Sequence, residues 1–352
     1  MSLSISDLPM ASADAFAMEC ARDRWNAIAK PIGSLGALED MVVQIAGLTG
    51  SADVDLSKRC ITVLCADNGV VARGVSQCGP EVTRVVAENV ARGTSSLCKL
   101  CAPASIDCLA VDMGMRERSL VKGVIDRRIA AGTRDITRGP AMTYEDAARA
   151  IEVGIDLVGE LAQAGYRIVG TGEMGIGNTT TATAMTCAFL GKEPEVLVGR
   201  GAGLSDAGLV RKTEAVRRAL LVNEPDASDP LDVLTKLGGF DIAGMCGMFL
   251  GGAIHRVPIV IDGMISMVAA CCALQLRPEC RCAMLPSHLS SEPAARMLAQ
   301  HLGFEPVLHA GIYLGEGTGA ACLIPLLDMA LSLYREGTTF EACGLAPYEV
   351  RP

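Results

Sequence analysis

The chain has 352 residues and a formal net charge of −9, and 50% of its residues are hydrophobic whereas only 3% are aromatic. This length suits one large domain or two, and the apolar fraction is enough for a sizeable buried core. The acidic balance and the few aromatic residues argue against a nucleic-acid-binding protein, which needs a basic face and stacking side chains. An anionic substrate must therefore be held by local backbone N–H groups and a few placed cations.

The sequence also indicates a cytoplasmic protein without a membrane anchor or a metal site. It opens without the basic and apolar regions of a signal peptide, and no apolar stretch reaches the roughly 18–20 residues of a membrane span. Fifteen cysteines are scattered through apolar runs, which is typical of small buried side chains in a reducing compartment. Cys98 and Cys101 have CxxC spacing, but no second pair and no histidine lie nearby in the sequence.

The predicted elements begin with two helices, over residues 12–28 and 35–48, and then alternate between strands and helices. Strands are expected at Cys60–Ala66, Ile106–Val111, Tyr166–Thr171, Pro258–Ile261, Cys282–Leu285 and Pro306–His309. Further helices are expected over residues 80–101, 144–164, 178–190, 207–222, 229–237, 241–255, 263–275, 291–302 and 318–335. This alternation predicts an α/β fold with a doubly wound, mainly parallel sheet and helices on both faces.

The two ends of the chain are helical and have no strand partner in this pattern. We expect residues 1–55 and 331–352 to form a small helical domain together, and residues 56–330 to form a large α/β catalytic domain. The large domain would then carry all of the predicted strands.

Polar or glycine signals stand at the ends of five predicted strands. Carboxylates occupy four of these points, as Asp67, Asp112, Glu173 and Asp262, and His288 lies at the fifth without an assigned role. In an open α/β sheet the ligand lies beyond the carboxyl ends of the strands, so we expect the four carboxylates to share one rim. Taken singly, each is also explained as a turn residue or a helix N-cap, a position that Asp favours.

The segment Gly172–Ala184, GEMGIGNTTTATA, follows a predicted strand and runs into a helical pattern. A strand, a glycine turn and a helix N-terminus together bind anions, because free N–H groups and the helix dipole point into the turn. Phosphate is the usual occupant of such a turn. The spacing Gly172-x-x-Gly175-x-Gly177 is neither the dinucleotide fingerprint nor the GxxxxGK[ST] phosphate loop, so a plain structural turn is the alternative.

Two further glycine-rich segments precede predicted helices, Gly199-Arg-Gly-Ala-Gly203 and Gly315-Glu-Gly-Thr-Gly319. Alternating glycines allow the backbone to approach a ligand closely. Glu316 lies among donors that suit an anion, which favours a base that must meet a substrate proton; a solvated loop glutamate is the alternative. Lys212, in the helix after the first segment, can support an anion or be an ordinary helix-surface lysine.

Taken together, these motifs resemble the nicotinate-nucleotide–dimethylbenzimidazole phosphoribosyltransferase family, whose members build the lower ligand of cobamides. The similarity runs from about Lys30 to Leu331. It rests on Lys30–Gly36, Ala66–Val70, Pro80–Thr83, Gly172–Thr180, Gly199–Gly203, Gly238–Ala243, Asp262-Gly263, Ser287–Ser290 and Leu314–Gly319.

The resemblance implies that ribose 5-phosphate moves from nicotinate mononucleotide to a ring nitrogen of 5,6-dimethylbenzimidazole, giving α-ribazole 5′-phosphate and nicotinate. It also implies a homodimer, an active site at the strand ends, and neither a metal nor an organic cofactor. By resemblance Glu316 is the catalytic base, and the phosphate lies on the turn from Gly175 to Thr180. The implied substrate-binding residues are Glu173, Gly175, Gly177, Asn178, Thr179, Thr180, Gly201, Gly203, Lys212, Asp262, Asp67, Cys78, Val86 and Leu314.

The chain departs from the family pattern at several positions. Cys78 and Val86 stand where some members have Ser and Gln, Asn68 stands where members often have His, and Ala294-Ala295 replaces a Gly-His pair. Fewer hydrogen-bonding groups on the acceptor side would relax the selection among acceptor bases. The alternatives are therefore transfer to another benzimidazole, a purine or a phenol, and a non-catalytic nucleotide-binding protein. A dinucleotide-dependent oxidoreductase is not favoured, because it would need a G-x-G-x-x-G turn after the first strand. Asp67-Asn-Gly69 stands there instead.

Overall fold

The structure is a computed structural model that describes residues 5–348. Its strands are β1 Arg59–Ala66, β2 Asp107–Gly114, β3 Ile125–Asp126, β4 Ile168–Met174, β5 Ile259–Ile261 and β6 Met284–Pro286. Its α-helices are α1 Ala15–Ala27, α2 Ala37–Thr49, α3 Glu81–Ala91, α4 Ser96–Cys101, α5 Tyr144–Gln163, α6 Asn178–Leu190, α7 Pro194–Leu197, α8 Asp206–Asn223, α9 Pro230–Leu237, α10 Phe240–His255, α11 Met264–Leu276, α12 Pro293–Leu302 and α13 Thr318–Glu336. Short 3₁₀ helices cover Ile5–Asp7, Gly69–Arg73, Ala102–Ala104 and Pro278–Ala283.

The six strands form one parallel sheet in the order β3-β2-β1-β4-β5-β6. The chain builds one half of the sheet outward from β1 and then returns to the centre to build the other half from β4. The strand order therefore reverses between β1 and β4, whose residues Cys65 and Met174 lie in register near the carboxyl ends. The predicted doubly wound α/β fold is confirmed, and the crevice at this switch point is the expected ligand site.

Strand β1 shows why helices cover both faces of the sheet. Its residues Cys60 and Leu64 belong to an apolar core that includes side chains of α5, α6 and α8 to α12. Ile61, Val63 and Cys65 belong to a second core that includes side chains of α1 to α4 and α13. Successive side chains of a strand lie on opposite faces, and both faces of this strand are apolar. Such a strand must be covered on both sides, as parallel sheets usually are.

Helices α1, α2 and α13 bring the two ends of the chain together. The rings of Trp25 and Tyr334 lie 5.0 Å apart between centroids. The Tyr334 hydroxyl donates a hydrogen bond to the Ala52 carbonyl at 2.8 Å. Helix α13 runs without a break across residue 330, where the domain boundary is expected. The division of the chain into residues 1–55, 56–330 and 331–352 stays a prediction.

The predicted helix over residues 80–101 is wrong as a single element. Two helices, α3 and α4, occupy this stretch, because Gly93 adopts a left-handed φ of 72° and interrupts the helical path. Ser95 then starts α4 by accepting a hydrogen bond from the Cys98 N–H at 3.2 Å. A serine at this position is a favoured N-cap, so the break has its own local signal.

The shortest strands differ between the prediction and the structure. The segment Pro306–His309 forms no strand, and only an isolated bridge joins Leu308 to His288. Strand β3 has two residues and is too short to show a pattern in the sequence. Strand β6 begins at Met284, later than predicted, because a 3₁₀ helix takes the residues before it.

Helices α5 and α10 pack with their backbones in contact. A Cβ atom on Gly154 would lie 2.0 Å from the Gly244 carbonyl oxygen, and one on Gly247 would lie 2.0 Å from the Ile151 carbonyl oxygen. Glycine costs a helix about 1 kcal/mol relative to alanine, so close packing must compensate here. Although α10 is almost wholly buried, no helix within residues 5–348 combines the length and apolar character needed to cross a bilayer.

We predict that Gly154→Ala destabilises the fold, because the added methyl group meets backbone atoms of α10. Overpacking of this kind costs about 1–3 kcal/mol, which exceeds the gain of up to about 1 kcal/mol in helix propensity. Urea denaturation followed by circular dichroism measures the free energy of unfolding. Gly263→Ala is the control, since its Cβ would come no nearer than 3.5 Å to the atoms around it. An equal loss of stability in both variants would contradict the prediction.

Candidate functional site

A cavity of about 300 Å³ opens at the carboxyl ends of β4 and β5, beside the point where the strand order reverses. Separate segments of the chain build its wall, and each of the three glycine-rich segments contributes to it. The lining residues are Cys78, Val82, Val86, Glu173, Met174, Gly175, Ile176, Asn178, Thr179, Gly201, Ala202, Asp262, Gly263, Met264, Ile265, Ser266, His288, Ser290, Glu292, Tyr313, Leu314, Gly315 and Glu316.

Two buried carboxyl groups beside this cavity, those of Glu173 and Asp241, share one amide. The Asn178 Nδ2 donates to Asp241 Oδ2 at 2.9 Å and also to Glu173 Oε2. Burial, and next the charge of Asp241, raises the pKa of Glu173 well above its usual range, while the Asn178 amide opposes the rise. Burial raises the pKa of Asp241 to about 6. The pair therefore favours a state in which Glu173 keeps its proton.

The turn after β4 explains how these groups meet. Strand β4 continues past its predicted end and includes Glu173. Gly175 must be glycine, because a Cβ there would lie 2.4 Å from the Ala66 carbonyl oxygen. Gly177 then adopts a φ of 97° and starts α6 at Asn178. Because the turn is tight, the Asn178 side chain at the start of α6 folds back and contacts Glu173 at the end of β4.

Helix α6 begins at the cavity wall, and no side chain within residues 5–348 caps its N-terminus. The fully buried Lys212 donates from Nζ to Thr179 Oγ1 at 2.9 Å and to the Gly199 carbonyl at 3.0 Å. Burial lowers the pKa of Lys212 to about 8, and the charge of Glu292 opposes this change. The alternative of an ordinary surface lysine is wrong, because the ammonium group lies inside the protein and holds two glycine-rich segments together.

Glu292 is a cavity residue that the sequence patterns did not indicate. Its Oε1 accepts a hydrogen bond from the Gly201 N–H at 3.0 Å. Its Oε2 is buried and has no hydrogen-bond partner within residues 5–348. Gly199 allows this approach, because a Cβ there would lie 1.9 Å from Oε2. The Gly201 N–H, which could otherwise bind an anionic ligand, is thus already donated to the Glu292 carboxylate.

Asp262 lines the cavity as expected, but both of its carboxylate oxygens accept hydrogen bonds from the N-terminus of α13. Its Oδ2 accepts from the Gly317 N–H at 3.1 Å, and its Oδ1 accepts from the N–H groups of Gly319 at 2.7 Å and Ala320 at 3.3 Å. His288 Nδ1 lies 3.8 Å from Oδ1. Burial raises the pKa of Asp262, and His288 together with the three amides opposes the rise. The carboxylate is therefore the N-terminal cap of the last helix as well as a charge beside the cavity.

Glu316 lies on a left-handed stretch of backbone just before α13. Its φ is 61°, between Gly315 at 77° and Gly317 at 92°. This stretch is pressed against β4, since a Cβ on Gly172 would lie 2.6 Å from the Glu316 carbonyl oxygen. Burial, and next the charge of Asp262, raises the pKa of Glu316. The glycines here serve close packing on the strand, and the half-buried carboxyl group has no hydrogen-bond partner in the described part of the chain.

Several implied site residues do not line the cavity, namely Asp67, Gly177, Thr180, Gly203 and Lys212. Asp67 is buried and accepts a hydrogen bond from a backbone N–H at 2.7 Å. Asp112 likewise accepts from a backbone N–H at 2.8 Å. Asp112 therefore makes a local turn contact with Met115, whereas Asp67 joins the segment after β1 to Arg116 in the segment after β2. Of the four carboxylates expected on one rim, only Glu173 and Asp262 share the cavity.

One part of the cavity wall is apolar. Cys78, Val82 and Val86 come from α3 and the loop before it, and Ile176 and Leu314 add to the same wall. These include Cys78 and Val86, the two positions that the resemblance assigns to the acceptor side. An aromatic ring can be bound against such a wall by burial, which contributes about 25 cal/mol per Å² of apolar surface.

A family model described as Phosphoribosyltransferase matches residues 10–345. The chain belongs to this family. It is similar to the nicotinate-nucleotide–dimethylbenzimidazole phosphoribosyltransferase of Acetivibrio thermocellus, with 43% identity over 332 residues that cover 94% of this chain and 95% of the relative. A protein of the same name from Escherichia coli O17:K52:H18 is 40% identical, with 91% and 90% covered. The crystal structure of CobT from Thermus thermophilus matches with a TM-score of 0.88 at 36% identity, and the match covers 94% of this chain and 99% of that one.

These comparisons confirm the family that the motifs indicated. The chain is a phosphoribosyltransferase, and the solved relative shares its fold over almost the whole length.

We predict that Asp241→Asn makes the free energy of unfolding less dependent on pH. The pKa of Asp241 is raised to about 6 in the folded chain, whereas an unfolded Asp titrates near pH 4. Between these values the folded state holds a proton that the unfolded state has released, so stability falls as the pH rises from about 4 to about 6. The variant lacks this fall.

Urea denaturation at a series of pH values measures the effect. Asp156→Asn is the matched control, because Asp156 is exposed on α5. If Asp241→Asn and the unmodified chain lose stability at the same rate across this range, the assignment of the pKa to Asp241 is wrong.

Proposed function

We propose that the chain transfers ribose 5-phosphate from nicotinate mononucleotide to 5,6-dimethylbenzimidazole, giving α-ribazole 5′-phosphate and nicotinate, in the synthesis of the lower ligand of cobamides. Relatives with this activity in their names align over more than 90% of the chain. The observation that carries the proposal is the carboxyl group of Glu316, which lies in one cavity with the N-terminus of α6 and an apolar wall. These are a proton acceptor, an anion site and a slot for an aromatic base. Among the described residues, neither this carboxyl group nor this helix N-terminus has a side-chain partner.

The donor phosphate is proposed to lie against the turn from Gly175 to Thr180. The uncapped N-terminus of α6 supports this location, because N–H groups and the helix dipole favour an anion there. The hydrogen bond from Lys212 to Thr179 holds the ammonium group beside this turn, where its positive charge favours an anion. Gly201 lines the same wall from the second glycine-rich segment. Gly177 and Gly203 would contribute through the shape of their turns, since both have positive φ angles.

The chemistry of the donor suits this set of residues. Its nicotinate ring is a cationic pyridinium, so the ring nitrogen departs with the electron pair of the bond to ribose, as a neutral nitrogen, and needs no general acid. The ribose carbon gains oxocarbenium character, which the negative charges of Asp262 and Glu316 stabilise. The raised pKa of Glu173 suits a protonated carboxyl group that donates a hydrogen bond to substrate rather than supplying charge.

The acceptor base completes the reaction. One nitrogen of the azole forms the new bond to the ribose carbon from the face opposite the leaving ring, which converts a β-nucleotide into an α-nucleotide. The proton on the other azole nitrogen passes to Glu316. The carboxyl group suits this role because it has no competing hydrogen-bond partner in the described part of the chain, and because burial raises its pKa toward neutral pH.

A second candidate is the same transfer to a different base. The apolar residues Cys78, Val82 and Val86 favour it, because they offer few hydrogen bonds with which to reject other rings. Incubation with nicotinate mononucleotide and a mixture of bases, followed by mass spectrometry of the α-nucleotides, distinguishes the two. Use of another base without use of dimethylbenzimidazole would overturn the acceptor assignment. Binding of the donor with no release of nicotinate would indicate a non-catalytic protein.

The proposal includes a homodimer in the cytoplasm. Tyr313 and Leu314 line the cavity and yet are 68% and 53% exposed, so a second copy could cover this apolar edge. The fifteen cysteines all fall within residues 5–348, and each is a free thiol, which fits a reducing compartment.

We predict that Glu316→Gln lowers kcat by about 10²–10⁴-fold, the usual contribution of a general base, and leaves donor binding unchanged. In the unmodified enzyme kcat rises as the pH increases through the raised pKa of Glu316, because only the ionised carboxylate accepts a proton. This rise is absent from the variant. Steady-state release of nicotinate measures both effects, with Glu305→Gln, an exposed position, as the control. Turnover near that of the unmodified enzyme would rule out Glu316 as the base.

We predict that Glu292→Gln tightens the binding of inorganic phosphate by about tenfold, or ~1.4 kcal/mol. The amide can still accept from the Gly201 N–H, but the negative charge that repels an incoming phosphate is gone. Isothermal titration calorimetry measures the dissociation constant, and nicotinate riboside, which lacks the phosphate, is the control ligand. Unchanged or weaker phosphate binding in this variant would count against a phosphate site at Gly201.

A further inference from the structure

Two adjoining pockets outside the catalytic cavity are rich in arginine. Arg73, Arg138, Arg211 and Arg218 line a pocket of about 620 Å³. Arg73, Arg116, Arg134 and Arg138 line a second pocket of about 720 Å³. Because two arginines belong to both pockets, the six side chains border one continuous depression, which we call the arginine groove.

The charge of the arginine groove is opposite to that of the chain, whose net charge is −9. Its acidic lining residues are Asp135 and Glu214. Asp135 pairs with Arg73 at 2.7 Å and lies 3.8 Å from Arg138. Glu214 pairs with Arg217, which does not line the groove. The groove therefore has a surplus of positive charge in a chain that is acidic overall.

Most of the arginines in the groove have donors to spare. The side chains of Arg116, Arg134 and Arg218 make no hydrogen bond or ion pair to any other residue in the described range 5–348. Arg211 donates its Nε to the Gly74 carbonyl at 3.2 Å, so both of its terminal nitrogens remain open. The planar fork of a guanidinium group matches two oxygens of a phosphate, which makes arginine the preferred residue for such contacts.

Buried contacts fix the four segments that carry these side chains. In the segment after β2, the Arg116 N–H donates to the buried Asp67 Oδ2 at 2.7 Å. Two of the three arginines of α8, Arg211 and Arg218, lie about two helical turns apart and so share one face of the helix. The Asn223 amide, at the end of α8, donates to the Ile136 carbonyl at 2.7 Å and joins the helix to the neighbouring loop. Gly69 brings the 3₁₀ helix against the same loop, since a Cβ there would lie 2.5 Å from the Arg134 carbonyl carbon. The groove is thus formed before any ligand binds.

We propose that the arginine groove binds a small polyphosphate, meaning a ligand with at least two linked phosphate groups. Two connected pockets that share Arg73 and Arg138 suit linked phosphates better than a single phosphate. Neither pocket has an aromatic lining residue, so the groove offers no stacking surface for the bases of a nucleic acid.

The test measures the binding of inorganic tripolyphosphate by isothermal titration calorimetry at about 0.15 M salt, where weak surface attraction is screened. We expect one site that binds tripolyphosphate at least about tenfold more tightly than inorganic phosphate, and at least about a tenfold loss in the double variant Arg138→Gln/Arg218→Gln. Arg149→Gln removes an exposed arginine of α5 that lies outside the groove and should have no effect. Glu292→Gln, which should tighten phosphate binding in the cavity, should leave tripolyphosphate binding unchanged, and this separates the groove from the proposed phosphate site of the cavity.

Several outcomes would overturn the proposal. Equal loss in Arg149→Gln would mean unspecific charge attraction, and tighter binding in Glu292→Gln would place the ligand in the catalytic cavity. Tighter binding of a single-stranded RNA of about 12 nucleotides would indicate a nucleic-acid site instead. A changed oligomeric state in the double variant, with tripolyphosphate binding retained, would assign the arginines to a contact between copies.

Adenosine triphosphate is a further test ligand in the same calorimetric experiment. Equal affinity for it and for tripolyphosphate supports recognition of the phosphate chain alone, and higher affinity supports a nucleoside polyphosphate. Because no arm uses the donor or the acceptor base, failure here leaves the proposed function untouched.

Discussion

The hydrogen bonds between the Asp262 carboxylate and the N-terminus of α13 hold the site together. Asp262 follows β5 in the central sheet, whereas Gly317, Gly319 and Ala320 begin the last helix. A buried N–H without an acceptor costs about 1–3 kcal/mol, so three such groups make this carboxylate a structural requirement. The contact also fixes the backbone of Glu316, which lies directly before the helix. Helix and sheet thus meet at the residue on which the proposed chemistry depends.

The periodicity of apolar residues predicted most of the helices and strands, but it did not reveal the short ones. Strand β1 and helices α10 and α13 lie within a residue or so of the expected ranges, because long apolar periodicity reports burial directly. Strand β3 has two residues and cannot show a period. The stretch Pro306–His309 is apolar enough for a strand, yet pairing depends on a partner elsewhere in the chain, and only Leu308 finds one.

The site was predictable where a residue acts through its own local backbone. Glu316 stood out because glycines flank it, and the structure shows that those glycines pack against β4. Asp241 and Glu292 escaped notice because their partners lie far away in the sequence. Asp67 and Asp262 look alike as strand-end residues, but the conformation of the following loop decides which of them reaches the cavity. Sequence patterns identify the strand end and do not determine the path of that loop.

The left-handed backbone at Glu316 also bears on how this chain can evolve. A non-glycine residue in this conformation costs about 1–3 kcal/mol, which glycine would recover. Selection for stability alone would therefore replace the glutamate, and selection for activity has to oppose it. Burial of the two apolar cores on either side of the sheet has to offset this cost for the carboxyl group to persist. A lineage that weakened those cores would lose tolerance for this residue before it lost the fold.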